Sequence, residues 1–172
     1  MLKFLLIFML SFSTLSFASD LEQCLEQIYM LDPPIAQQIR QKLEPIKELS
    51  IIQDFISLSK QITFSKQTTD LNQFDAVLVA PDEHKLLFEN DQLRILESFV
   101  PVGGGVPFHT HQWDSIMIII QGSRFQVETS SGEIKEEIWG TSVERFPGSL
   151  ESDIYTNLGP EEFLAIAFEI KK

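Results

Sequence analysis

The stretch GGGVPFHTHQWDSIMIIIQG, residues 103–122, decides how the rest of the chain is read. His109 and His111 stand at i and i+2, so on an extended strand both imidazoles leave from one face and can reach one metal ion. The three glycines before them permit a sharp entry into that strand. The run from Ile116 to Ile120 is apolar at every position, so it predicts a central strand covered on both faces. On an unbroken strand, His109, His111, Trp113, Ser115 and Met117 face one way, and Ile116, Ile118 and Ile120 the other.

Working outward, a period of two holds over most of the C-terminal half. Strands are predicted at 76–80, 85–89, 93–100, 115–121, 124–129, 133–139, 154–157 and 162–170. Turn signals separate them: Pro81-Asp82, Asn90-Asp91, Gln121-Gly122, Ser131-Gly132, Pro147-Gly148 and Leu158-Gly159-Pro160. Many short strands at near-regular spacing predict a sandwich or barrel. In the last strand Phe163, Ala165 and Ala167 alternate against Leu164, Ile166 and Phe168. The two alanines either leave room for a small ligand or mark a tight strand crossing.

Towards the N-terminus the period becomes helical. Leu21, Cys24, Leu25, Ile28 and Leu31 form one stripe. Asp32-Pro33-Pro34 ends it and starts a second helix, with Asp32 as cap and Pro33 in the first turn. Its stripe is Ile35, Ala36, Ile39, Leu43 and Ile46, with a break expected at Pro45. A third run, Leu49 to Ile62, leads to the polar connection 65–73. These helices cannot bury their stripes alone, so they must pack on the rest of the molecule or on a second copy, as in a homodimer. Residues 1–18 (MLKFLLIFMLSFSTLSFA) have one positive charge, an apolar run and small residues before a cut after Ala18, the build of a secretory signal peptide. The expected divisions are 1–18 for export, 19–73 for helices and connection, and 74–172 for the β domain. The expected location is periplasmic or secreted.

The chain has 172 residues, with 13 Lys+Arg against 25 Asp+Glu and a net charge of −12. That balance excludes nucleic acid and anionic membrane surfaces as partners, and no membrane association is expected once the signal is removed. One cysteine excludes a disulfide framework and a thiolate zinc cluster; Cys24 reads as a buried thiol or an intermolecular pairing site.

The segment 103–122 resembles the first motif of the cupin superfamily, the double-stranded β-helix jelly rolls. That motif is a Gly, five residues, His-x-His, three or four residues, Glu, six residues and Gly. Gly103, His109, His111 and Gly122 fit it, while Ser115 stands where the family has Glu. Pro147-Gly148, Asn157 and Gly159 resemble parts of the second motif, which here contains no His. The resemblance covers roughly 74–172. It implies a mainly β fold, a cupin-like jelly-roll barrel preceded by a helical segment. It also implies a divalent metal (Fe, Mn, Zn or Ni) on His109 and His111. Asp114, Glu151 or Asp153 are the alternative carboxylate ligands: counting back from Asn157 puts Asp153 at the missing His, and counting forward from Gly148 puts Glu151 there.

Trp113, Ser115, Met117 and Tyr155 are expected to line a pocket for a small-molecule ligand. Trp113 either stacks on the ligand or simply packs. Arg94 and Arg124, scarce cations in an acidic chain, are expected to pair with an anionic ligand or to neutralise surface carboxylates. His84, in a PDEHK segment before a strand, reads as a solvated loop residue. The functions that follow are small-molecule binding in the barrel, a metal-dependent oxygenase or isomerase/lyase, or a metal-free structural or assembly module.

Overall fold

The computed structural model describes Met30 and residues 32–46, 72–91, 93–149 and 153–171. The signal segment, the stripe over 21–28, Cys24, the run 49–62 and Glu151 lie outside the described residues. The chain divides into two units, with the boundary between Gln41 and Lys42.

Helix α1, Pro33–Leu43, begins where the sequence predicts. Asp32 Oδ1 accepts the Ile35 amide at 3.2 Å, and Pro33 occupies a first-turn position whose missing N–H costs nothing. The buried stripe is Ala36, Ile39 and Leu43. At Pro45 the α-helix has already given way to a 3-10 turn, Glu44–Ile46, as the absent proline N–H requires.

The second unit is built of β1 (His84–Glu89), β2 (Leu93–Val100), β3 (Gly105–Val106), β4 (Ser115–Gln121), β5 (Ser123–Glu128), β6 (Ile134–Trp139), β7 (Ser142–Phe146), β8 (Ile154–Asn157) and β9 (Phe163–Ile170). They form a five-stranded sheet ordered β1-β2-β9-β4-β7 and a four-stranded sheet ordered β3-β8-β5-β6, antiparallel at every pairing. This is a mainly β, cupin-like jelly-roll barrel.

Strand β4 is central and buried on both faces, as its unbroken apolar run predicts. Its inner face presents Ser115, Met117 and Ile119. Met117 and Ile119 join Leu96, Val100, Phe125, Val127, Phe163, Ala165 and Ala167 in one interior core. The sheets meet through aromatic rings: Phe125 of β5 lies 5.3 Å from Phe163 of β9, and Trp139 of β6 lies 6.0 Å from Phe146 of β7.

Three strand expectations are corrected. Residues 76–80 are not a strand: Ala76–Val79 form a short helix, α2, nucleated by Asp75, whose Oδ1 accepts the Val77 amide at 3.1 Å. A brief apolar run is ambiguous between helix and strand, and here the cap decides. The strands β3 and β7 were not anticipated; β3 is only two residues long, and β7 carries mixed polarity. The segment from His109 to Met117 is also not one unbroken strand. β3 ends at Val106 and β4 begins at Ser115, and only isolated bridges lie between, so parity cannot be carried through Trp113.

Two motif residues are required by close backbone approach. A Cβ on Gly122 would lie 1.9 Å from the Trp139 carbonyl oxygen, and one on Gly148 would lie 2.5 Å from that of Gln112. Only glycine fits such contacts. Asn157, fully buried, ties the barrel end together. Its Oδ1 accepts from Ser123 Oγ and the Gly159 amide, and its Nδ2 donates to the carbonyls of Val100 and Glu161.

Candidate metal centre

The irregular stretch between β3 and β4 is held extended by backbone pairing on both flanks. Thr110 donates to the Phe74 carbonyl at 2.8 Å, and Ala76 donates to the Thr110 carbonyl at 3.0 Å. Ser149 donates to the His111 carbonyl at 2.8 Å. Alternation about Thr110 then presents His109 and His111 together, which preserves the consequence of the i, i+2 spacing without a long strand.

A third imidazole joins them. His84 is the first residue of β1, reached through α2 and a turn in which its amide donates to the Ala80 carbonyl at 2.8 Å. It pairs in register with Ser98 of β2 and is 6% exposed, so its reading as a solvated loop residue is wrong. Strand pairing one residue after a polar turn pulled it inward. The ring centroids of His84, His109 and His111 are 4.6, 5.0 and 5.0 Å apart. One nitrogen from each lies within 4.8 Å of the other two, close enough to hold one metal ion.

Hydrogen bonds orient two of the rings. Pro107's carbonyl accepts from His109 Nδ1 at 2.8 Å, and Glu169 Oε1 accepts from His111 Nδ1 at 2.6 Å. With both Nδ1 atoms donating, each neutral ring keeps its lone pair on Nε2. His84 Nδ1 is buried without a partner. Burial, with the neighbouring His111 and His109, holds the His84 imidazole well below the usual histidine range. Burial first, then His111, brings His109 down to about 4. Both rings are therefore neutral at ordinary pH, the state a metal requires.

Behind His111 runs a chain of buried charges. Arg94 Nε donates to Glu169 Oε2, while its two terminal nitrogens donate to Asp75 at 2.8 and 3.0 Å. Asp75, Arg94 and Glu169 are all 0% exposed. Burial alone would push the Glu169 carboxyl up; hydrogen bonds and charge from His111 and Arg94 overcome it and hold Glu169 ionised below its usual range. Trp113 lies over this network, with its ring centroid 4.5 Å from the Arg94 guanidinium carbon and 5.0 Å from Lys171 Nζ. Trp113 is 2% exposed and packs against these two cations.

The carboxylates expected from the sequence fare differently. Both Asp114 oxygens have partners other than the imidazoles: Oδ2 accepts from Arg145 at 3.2 Å and Oδ1 from the Gly148 amide at 2.9 Å. It braces the turn after β7 and does not join the metal-capable group. Asp153 also stands outside that group. Its charge, after burial, helps to push the Tyr155 hydroxyl pKa up. Ser115 is buried directly across from Glu169 in the β4–β9 register. The carboxylate missing at Ser115 is thus supplied by the neighbouring strand, one step back from the rings.

Met117 packs in the interior core, and the Tyr155 ring centroid lies 6.3 Å from that of His109. Ala165 and Ala167 also belong to that core, so their small side chains serve packing. Arg94 pairs with the buried carboxylates of Asp75 and Glu169, not with surface carboxylates. Arg124 is the exposed one, 3.5 Å from Glu136. Glu169 and Asp75 were not anticipated from the sequence, and Arg94 was expected at an anionic ligand or the surface, not in a buried pairing. Glu169 is the lone charge inside the apolar run FLAIAFEI and shares parity with Ala165 and Ala167. Arg94 lies inside LRILESFV, where Glu97 is the other charge.

No protein-family model matches the chain, and no curated protein matches it. Among solved structures it is similar to a cupin domain from Bordetella pertussis Tohama I, at 20% identity and TM-score 0.46, over 52% of this chain and 92% of that one. A polyketide cyclase from Streptomyces resistomycificus matches at 16% identity and TM-score 0.41, over 64% and 81% of the two chains. An RmlC-like cupin-family protein with a double-stranded β-helix fold, from Methanocaldococcus jannaschii, matches at 10% identity and TM-score 0.39, over 63% and 94%. At these values the fold rests on the strand topology described above.

Proposed function

We propose that this barrel binds a divalent transition metal through His84, His109 and His111, and that the metal takes a small ligand at its remaining positions. The carrying observation is the convergence of three buried or half-buried imidazoles, two of them oriented by hydrogen bonds through Nδ1. Three imidazole nitrogen donors suit zinc, nickel or iron better than manganese, which prefers oxygen ligands. A three-ligand site also leaves coordination open, as catalytic sites do and closed structural sites do not. A bound metal there supplies Lewis acidity to whatever small oxygen or nitrogen donor completes the shell.

Access supports a small ligand. The His111 side chain is 30% exposed, whereas the interior beside His109 is filled by Tyr155, Phe125, Trp139 and Phe163. The ligand therefore enters from the His111 side. Tyr155, kept protonated by burial, carries an aromatic hydroxyl on a ring whose centroid is 6.3 Å from that of His109. With the signal-like segment at 1–18, the same reading places the chain outside the cytoplasm.

Elemental analysis of protein purified without chelator tests this. About one metal per chain is expected, lost when His84 is replaced by Ala. Metal below about 0.1 per chain, persisting after incubation with zinc, nickel and iron salts, would overturn the proposal.

A further inference from the structure

The three imidazoles are not oriented alike. His109 donates to a backbone carbonyl, whereas His111 donates to a carboxylate that is itself fixed by a guanidinium. His111 is the most exposed of the three rings, so a backbone carbonyl would compete with water for its Nδ1–H. Glu169 has no freedom to turn: Oε1 accepts from His111 and Oε2 from Arg94 Nε. Arg94 is fixed in turn by two hydrogen bonds to Asp75, and Asp75 is fixed by capping α2. Both Glu169 oxygens are thus already engaged away from the metal-facing nitrogens.

We infer that Glu169, clamped by Arg94 and Asp75, is the positioning residue that holds His111 in its Nδ1–H tautomer and aims the Nε2 lone pair at the metal. The inference rests on the proposed metal reading for its purpose, but not for its geometry. An ionised carboxylate only accepts hydrogen bonds, so a neutral His111 must carry its proton on Nδ1. In Glu169→Gln the amide oxygen stays with the Arg94 donor. The amide NH2 group then faces His111, which can meet it only by accepting at Nδ1. The ring proton moves to Nε2, where it blocks coordination.

Nitrogen-15 NMR of the histidine rings in the metal-free full chain, at alkaline pH where imidazoles are neutral, reads the tautomer directly. Wild type is expected to show Nδ1–H at His111, and E169Q to show Nε2–H. Zinc affinity, measured by competition with a chromophoric chelator, is expected to weaken about 10- to 100-fold in E169Q. Should E169Q fail to fold, E169D keeps the charge near Arg94, withdraws the oxygen from His111 by one carbon, and is expected to weaken zinc similarly. A wild-type Nε2–H tautomer, or unchanged zinc affinity in the folded variants, would overturn the inference. A wild-type chain with the Nδ1–H tautomer that takes up no zinc would support Glu169's hold on His111 and sink the metal reading instead.

Discussion

The aromatic group of Phe125, Trp139, Tyr155 and Phe163 and the charged group of Asp75, Arg94, Glu169 and His111 share one barrel, yet different forces hold them. The aromatic rings pack with centroids 5.3 to 6.1 Å apart, in tilted or edge-on arrangements that need no partner outside the group. The charged group has none of that tolerance. Each member is fully or largely removed from water, and each is paid for only by the next one along. Strand β9 joins the two, because its inner face runs from Phe163 through Ala165 and Ala167 to Glu169. One end of that face makes the fold and the other prepares a site. A packed apolar group degrades gradually when altered, whereas a buried ionic chain fails as a unit.

The sharpest way to break this contrast is Arg94→Ala. It leaves Asp75 and Glu169 as buried carboxylates without their cation, and it is expected to cost about 3–5 kcal/mol of stability. Denaturant unfolding followed by circular dichroism measures the loss. A cost under about 1 kcal/mol would mean that water reaches these carboxylates, against the geometry. The next largest effect concerns the imidazoles. Zinc at 100 times its dissociation constant is expected to stabilise the wild-type chain by about 2.7 kcal/mol, and most of that gain should vanish in His84→Ala. Thermal unfolding with zinc and with chelator separates the two variants. Equal zinc stabilisation in both would remove His84 from the site.

The fold was legible because its signals are local and redundant. The apolar run of β4, the Asp32-Pro33 start of α1 and the motif glycines each report on nearby backbone. His109 and His111 were legible for the same reason, since their spacing is itself the geometry. His84, Glu169, Asp75 and the buried partners of Arg94 were not, because each gains its role from a neighbour distant in the chain: Glu169 is 58 residues from His111 and 75 from Arg94. Asp114 misled in the opposite way. It lies close in sequence to both histidines, but its oxygens accept from Arg145 and the Gly148 amide. The sequence does contain one usable sign of the buried network, the lone charge of Glu169 inside the apolar strand FLAIAFEI. A charge in such a place must be paired.

Two milder substitutions sharpen the boundary between the groups. Met117→Leu keeps volume and apolarity within the core, so a cost below about 1.5 kcal/mol and unchanged metal content are expected, read by unfolding and elemental analysis. Tyr155→Phe acts where the aromatic group meets His109. The Tyr155 hydroxyl makes no hydrogen bond among the described residues, so its removal should cost less than about 0.5 kcal/mol, the lower edge of one net hydrogen bond. The ring remains, so the contacts with Phe125, Trp139 and His109 persist. Metal uptake should therefore be unchanged. Binding of a small anion such as azide to the cobalt-loaded chain, followed in the visible spectrum, is the sensitive readout. If Tyr155 faces the ligand, azide should bind more weakly in Tyr155→Phe while cobalt binds as before. Equal azide affinity would assign Tyr155 wholly to the aromatic group, and the two regions would meet without sharing a residue.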